Sequence, residues 1–188
     1  MVRPNQNSTL AFALLGLIGQ EPRSGYDLRK FFFSTPMISF SDSPGAIYPA
    51  LHRLEQRGLV RGHVADGSGL RRRRVFELTA RGRAEFRRWQ TQAVTRNDVV
   101  RNLDALMLRF AFMDQFAEKG AALRFLEAFY KELAGYIPSL RKYLKSNREH
   151  MSQSGRLALE SGMQAYETQL RWTKNAIAAY GQAKGERG

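Results

Sequence analysis

With 188 residues, 43% of them hydrophobic, the chain is long enough for one ordinary domain or two small ones. It has no cysteine, which excludes disulfides, thiolate metal sites and thiol nucleophiles, and its three histidines, His52, His63 and His150, lack metal-ligand spacing. The net charge of +13 points to a polyanionic partner and is concentrated: residues 53–88 hold eleven arginines and no lysine against Glu55, Asp66, Glu77 and Glu85, a net of +7.

Arg3 followed by the apolar run Leu10 to Gly19 superficially resembles a signal peptide. No small-x-small cleavage pattern follows, and the run is too short to span a bilayer, so it reads as a buried helix of a cytoplasmic protein with no membrane partner. Ser8 or Thr9 caps this first helix, which runs to about Leu17 or Ile18 before Gly19 and Pro22 stop it. Ser24-Gly25 opens a second helix that ends before Pro36.

Ser41-Asp42-Ser43-Pro44 places a cap before a proline, the favoured start for a third helix running to Arg57, with Gly58 as its stop. On a helical wheel Ile47, Ala50, Leu51 and Leu54 share one face. Gly45, Pro49, His52, Arg53 and Gln56 lie opposite, with Tyr48 and Glu55 at the border. One face is core and the other polar and basic, the division needed by a helix that enters a DNA groove. Pro49 inside this helix is expected to bend or loosen its first turn.

Leu59 to Val64 reads as a strand, Ala65 to Gly69 as a turn and Arg72 to Leu78 as the antiparallel partner. Two strands are marginal alone, so the hairpin must lean on the helices before it. Thr79 caps a fourth helix anchored by Phe86 and Trp89. Helix, helix, helix, hairpin is the order of a winged helix-turn-helix.

The polar segment Gln90 to Asn102, capped by Asn97-Asp98, marks a boundary, giving domains 1–96 and 97–188. The fold class is mainly α: three helices with a two-stranded wing, then an all-helical domain. Leu103, Leu106, Met107, Phe110 and Met113 form one stripe; Leu126, Phe129, Leu133, Ile137, Leu140 and Leu144 form another, interrupted by Pro138. Residues 146–156 read as a polar linker and Gln182 to Gly188 as a frayed tail. On the last helix Leu159, Met163, Tyr166, Leu170, Thr173, Ile177 and Tyr180 step at heptad spacing, which serves either intrachain packing or, as the favoured reading, dimerisation. Phe110, Phe125, Phe129, Tyr130, Tyr136 and Trp172 line either a core or an effector pocket, the pocket being assigned to Phe110, Phe129, Tyr130 and Trp172.

The run SDSPGAIYPALHRLEQRGLV, then RRRVFELTARGRAEF, resembles the signature of the PadR family of bacterial winged helix-turn-helix regulators. Gly45, Tyr48, Pro49, Leu51, Leu54, Gly58, Leu59, Phe76, Leu78, Thr79 and Gly82 match it, as do Gly16, Gly25, Tyr26 and Leu28 near the start. The second half is similar to the longer members with a virulence-activator-type tail, through Gly162, Tyr166, Leu170 and Trp172. The resemblance implies a homodimer that binds double-stranded operator DNA, usually as a repressor, released in some members by a small aromatic or drug-like effector.

On this reading the third helix reads the major groove with Ser43, Tyr48, His52, Arg53 and Gln56, while Arg71, Arg72, Arg73 and Arg74 of the wing meet phosphates or a narrow minor groove. Strand alternation lets at most two of the four face DNA together. A basic winged-helix adaptor that binds proteins or nucleic acid without reading sequence is the competing expectation. An enzyme is not expected, because the chain has no glycine-rich phosphate loop, nucleophile beside a base or paired carboxylates, and no cofactor is called for.

Overall fold

The computed structural model describes residues 9–40, 44–65, 73–118 and 120–185. The chain forms two compact units: residues 1–91 with Asp114–Phe116, and residues 92–113 with 117–188. Residues 92–96 thus lie with the second unit, and a short piece of the second half lies with the first.

In the first unit Thr9–Gln20 forms α1, which is buried from Leu10 to Ile18. The apolar run at the start of the chain is therefore the central helix of the domain, surrounded by its neighbours rather than amphipathic. Ser24 caps α2 (Gly25–Ser34), its hydroxyl accepting from the Asp27 N–H at 3.1 Å. Leu28 and Phe32 turn inward from α2 to join Leu14, Leu15, Leu17, Ile47, Leu51, Leu54, Leu59 and Phe86 in the core. Phe12 of α1 stacks on Trp89, with centroids 4.3 Å apart.

A 3-10 turn over Pro44–Ala46 leads into α3 (Ile47–Gln56). Pro49 therefore falls in the first α-helical turn, where its missing N–H has no intrahelical acceptor to lose. The expected disturbance is resolved by starting the α-helix later, at Ile47. Gly58, with a φ of +68°, ends the helix as expected. The strands β2 (Val60–Ala65) and β3 (Arg73–Leu78) pair antiparallel, with Val60 opposite Leu78 and Ala65 opposite Arg73.

The sheet is larger than a two-stranded wing, because the short strand β1 (Arg23–Ser24) pairs with β3 along its other edge, Arg23 opposite Phe76. Support for the hairpin comes from a third strand as well as from helices. Thr79 caps α4 (Ala80–Gln90), its hydroxyl accepting from Gly82 N–H at 2.9 Å and donating to the Gly58 carbonyl at 2.7 Å. One side chain thus joins the end of α3, the wing and α4.

The second unit opens with α5 (Arg96–Arg101). Its cap is Thr95, paired with Asp98 in a capping box, and not Asn97-Asp98: the threonine hydroxyl serves the Asp98 N–H while the Asp98 carboxylate accepts from the Thr95 N–H. The stripe read over residues 103–113 is divided between α6 (Leu103–Ala111) and α7 (Met113–Phe116). The segment read as a linker is mostly helical: α8 (Ala121–Asn147) contains Pro138, a 3-10 turn covers Arg148–His150, and α9 runs over Gln153–Gly185. Val99, Leu106, Met113, Phe125, Leu126, Phe129 and Leu133 form the core of this half.

Candidate nucleic-acid interface

The alternation along α3 separates its two jobs. Ile47, Ala50, Leu51 and Leu54 are buried, while Tyr48, His52, Arg53 and Gln56 are exposed. The four described recognition-helix candidates are thus brought to one outward face, held in place by the core residues between them. His52 and Gln56, one turn apart, are in contact through Nε2 of each at 3.0 Å. Tyr48 stands half-exposed against α2, and a Cβ placed on Gly25 would lie 2.6 Å from its Cε1. Ser43, Arg71 and Arg72 lie outside the described residues.

Strand β3 passes beside this face. Phe76 and Leu78 are buried on its inner side, and Arg74 is in register with them. Arg73, Val75 and Glu77 occupy the outer side, where Glu77 pairs with Arg61, its direct cross-strand neighbour, across 3.0 Å from Nε to Oε1. That bond, together with the nearby positive charges of Arg61, His63 and Arg83, holds the Glu77 carboxyl below its ordinary value. Among the described residues neither Arg53 nor Arg73 has a carboxylate partner, whereas Arg61 and Arg74 do.

Between α2, α3 and β3 lies a cleft of about 800 Å³, lined by Tyr26, Tyr48, His52, Glu55, Arg73 and Arg74 among others. Two of its features were not assigned from sequence. Tyr26, on the outer side of α2, is 52% exposed, and the Arg29 guanidinium lies 5.7 Å from its ring centre. This adds an aromatic and a cation from the first helix of the helix-turn-helix, the helix that crosses the backbone in such folds. The signal was the polar side of α2 opposite Leu28 and Phe32. Glu55, read only as a border residue, faces the wing and binds Arg74.

In the second unit, Tyr166, Leu170, Ile177 and Tyr180 of the α9 seam pack against their own chain's core, and Leu159 and Met163 are partly buried. Thr173, in the same seam, is wholly buried, its hydroxyl donating to the Gln169 carbonyl at 2.7 Å. Phe110 is the centre of the aromatic group, touching Phe125 at 5.9 Å, Trp172 at 5.5 Å and Tyr180 at 6.0 Å. Phe129 is buried within the core, while Tyr130 and Trp172 are each 37% exposed. The four effector-pocket candidates are therefore not equivalent: Phe110 and Trp172 are brought together, Phe129 is packed away, and Tyr130 faces outward.

Residues 14–88 match the model of the transcriptional regulator PadR-like family. Over 125 residues the chain is 25% identical to the negative transcriptional regulator PadR of Bacillus subtilis (strain 168), covering 66% of this chain and 68% of that protein. Among solved structures it is similar to the PadR-like transcriptional regulator BC1756 from Bacillus cereus, at 23% identity and a TM-score of 0.43, covering 94% of this chain and 98% of that one. It is also similar to Bacillus subtilis PadR in complex with operator DNA, at 19% identity and a TM-score of 0.45, covering 94% and 99%.

Proposed function

We propose, from the match of residues 14–88 to the transcriptional regulator PadR-like family model, that this chain is a DNA-binding regulator acting as a cytoplasmic homodimeric repressor, with α3 in the major groove of its operator and the wing on the flanking backbone. The observation that carries this reading is the exposed row Tyr48, His52, Arg53 and Gln56 beside a wing whose Arg73 is unpaired by carboxylate among the described residues. Arginine at such a position forks phosphate or guanine edges, and glutamine pairs with adenine. Repression is supported by the likeness to a negative regulator.

In this reading Ser43, Arg71 and Arg72, which lie outside the described residues, are further DNA contacts expected from the sequence, and the second unit provides the dimer contact through α9. Its partly exposed Trp172 beside Phe110 is a suitable wall for a small aromatic effector.

The test is a selection from a random duplex pool, bound and washed near physiological salt so that sequence-independent phosphate binding is weakened. The reading expects an inverted repeat with half-sites about one helical turn apart. Recovery of no motif, with binding that collapses as salt rises, would sink it in favour of a charge-driven adaptor.

A further inference from the structure

One carboxylate ties the recognition helix to the wing. Glu55 Oε1 accepts from the Gly62 N–H of β2 at 2.9 Å and from Arg74 Nη2 of β3 at 2.7 Å, and Oε2 accepts from the same Nη2 at 2.8 Å. The Arg74 guanidinium also lies 5.5 Å from the centre of the Phe76 ring, so it is held from two directions. The approach is close: a Cβ at residue 62 would stand 2.5 Å from Arg74 Nε and 2.9 Å from Glu55 Oε1, so a larger residue there would have to displace both side chains. Three elements meet at this point, and two of them, α3 and β3, line the cleft through Glu55 and Arg74.

A carboxylate beside a phosphate-binding surface weakens attraction to DNA, and nothing in the packing of α3 requires it, since Leu51 and Leu54 already bury that helix. What it changes is the state of Arg74. An arginine able to reach phosphate adds affinity to every sequence alike, whereas one locked to the recognition helix fixes where the wing stands.

We propose that Glu55 is a positioning residue for DNA reading, one that withholds Arg74 from the phosphates and sets the wing against α3. This rests on the chain's being a DNA-binding regulator. Arg74 then contributes nothing to counterion release, and the unspecific attraction falls to the arginines left unpaired.

The test measures binding of the full chain to a random-sequence duplex and to the duplex recovered by selection, over a series of salt concentrations. Glu55→Gln frees the Arg74 charge, so the slope of log affinity against log salt should steepen by about one unit. Affinity for the random duplex should rise several-fold, and the ratio of selected to random affinity should fall about tenfold. The double variant E55Q/R74Q should return the slope to that of the unmodified chain.

A Glu55→Gln slope equal to the unmodified one overturns the proposal, because a merely structural pair would change stability and leave ion release alone. Should Glu55→Gln not fold, Arg74→Gln decides: it keeps the Glu55–Gly62 bond, and a slope shallower by about one unit would place Arg74 on phosphate already and overturn the proposal. An unmodified chain that binds no duplex at all would instead overturn the DNA-binding reading, and this inference with it.

Discussion

The carbonyl oxygen of Leu59 lies 1.9 Å from where a Cβ on Gly82 would stand, and the carbonyl carbon lies at 2.9 Å. Both obstructing atoms are backbone, at the junction where Thr79 N–H donates to that same carbonyl at 3.2 Å. Gly82→Ala must therefore push α4 away from the start of the wing rather than rotate a side chain. The expected cost is about 3 kcal/mol, at the upper end for overpacking, read as a lowered midpoint in chemical denaturation. Thr79→Ala, which removes the cap and its bond to Gly58, should cost about 1 kcal/mol.

Gly25 makes the opposite case. The atom a Cβ would meet there is Cε1 of Tyr48, at 2.6 Å, the far end of a half-exposed ring. Gly25→Ala should displace Tyr48 while leaving the fold standing. The expected result is a small change in denaturation midpoint and a loss of about tenfold in affinity for the selected duplex, or about 1.4 kcal/mol. Equal losses in stability and binding would show that Tyr48 serves only to pack α3 on α2.

The contrast between these glycines marks what sequence reasoning could and could not reach. The buried and exposed faces of α3 were legible because Ile47, Ala50, Leu51 and Leu54 carry the helical period themselves. So was the cap at Thr79, a local pattern. By contrast β1 is only two residues long and has no alternation to detect, so its pairing with Phe76 and Val75 comes from tertiary contact alone. The cap expected at Asn97-Asp98 falls instead at Thr95, because Thr95, Asn97 and Asp98 are all capping types and only the reciprocal bond between Thr95 and Asp98 decides among them. Glu55 sat at a border on the wheel. What it does depends on Arg74, nineteen residues away and in another element.

The Arg61–Glu77 pair should make wing stability depend on pH. Its hydrogen bond to Arg61 holds the Glu77 carboxyl below the ordinary 4.5. A carboxyl whose folded value is depressed contributes stability above its unfolded value, and this is lost as pH falls through the lower folded value. The pair should thus help at neutral pH and progressively fail below about 4.5. Glu77→Gln should reduce stability at neutral pH and converge with the unmodified chain in acid, measured by denaturation midpoints across that range. A constant gap between the two chains at every pH would assign the effect to packing instead.

Arg109, on α6, is 4% exposed, and its Nε and Nη2 are buried with no hydrogen-bond partner. Its guanidinium lies 4.7 Å from the centre of the Phe125 ring, which recovers part of the cost of burial. Desolvation lowers its pKa to about 10, against the opposing attraction of Asp98. The charged form is therefore disfavoured by folding, and the penalty applies at every pH below about 10. Arg109→Met, similar in volume and apolar, should leave the helical unit as stable or raise its stability by about 1 kcal/mol. A clear loss in the denaturation midpoint would mean that the guanidinium holds the fold together.

Asp114–Phe116 belong with the first unit although the chain has by then already entered the second. Gln115 Nε2 donates to the Gly16 carbonyl of α1 at 3.0 Å, and the Phe116 carbonyl accepts from Arg87 Nε at 3.2 Å. The Phe116 ring meets Phe86 edge-on, with centroids 5.9 Å apart, and Phe86 in turn contacts Trp89 at 5.4 Å. Phe116→Ala should therefore destabilise the winged-helix unit by about 2 kcal/mol, less than for a fully buried phenylalanine because this ring is only half-buried. Trp89 reports on that unit directly, so its fluorescence, read in a Trp172→Phe background, should show the transition moving to lower denaturant. An unchanged Trp89 transition would mean that residues 114–116 rest on the first unit without supporting it.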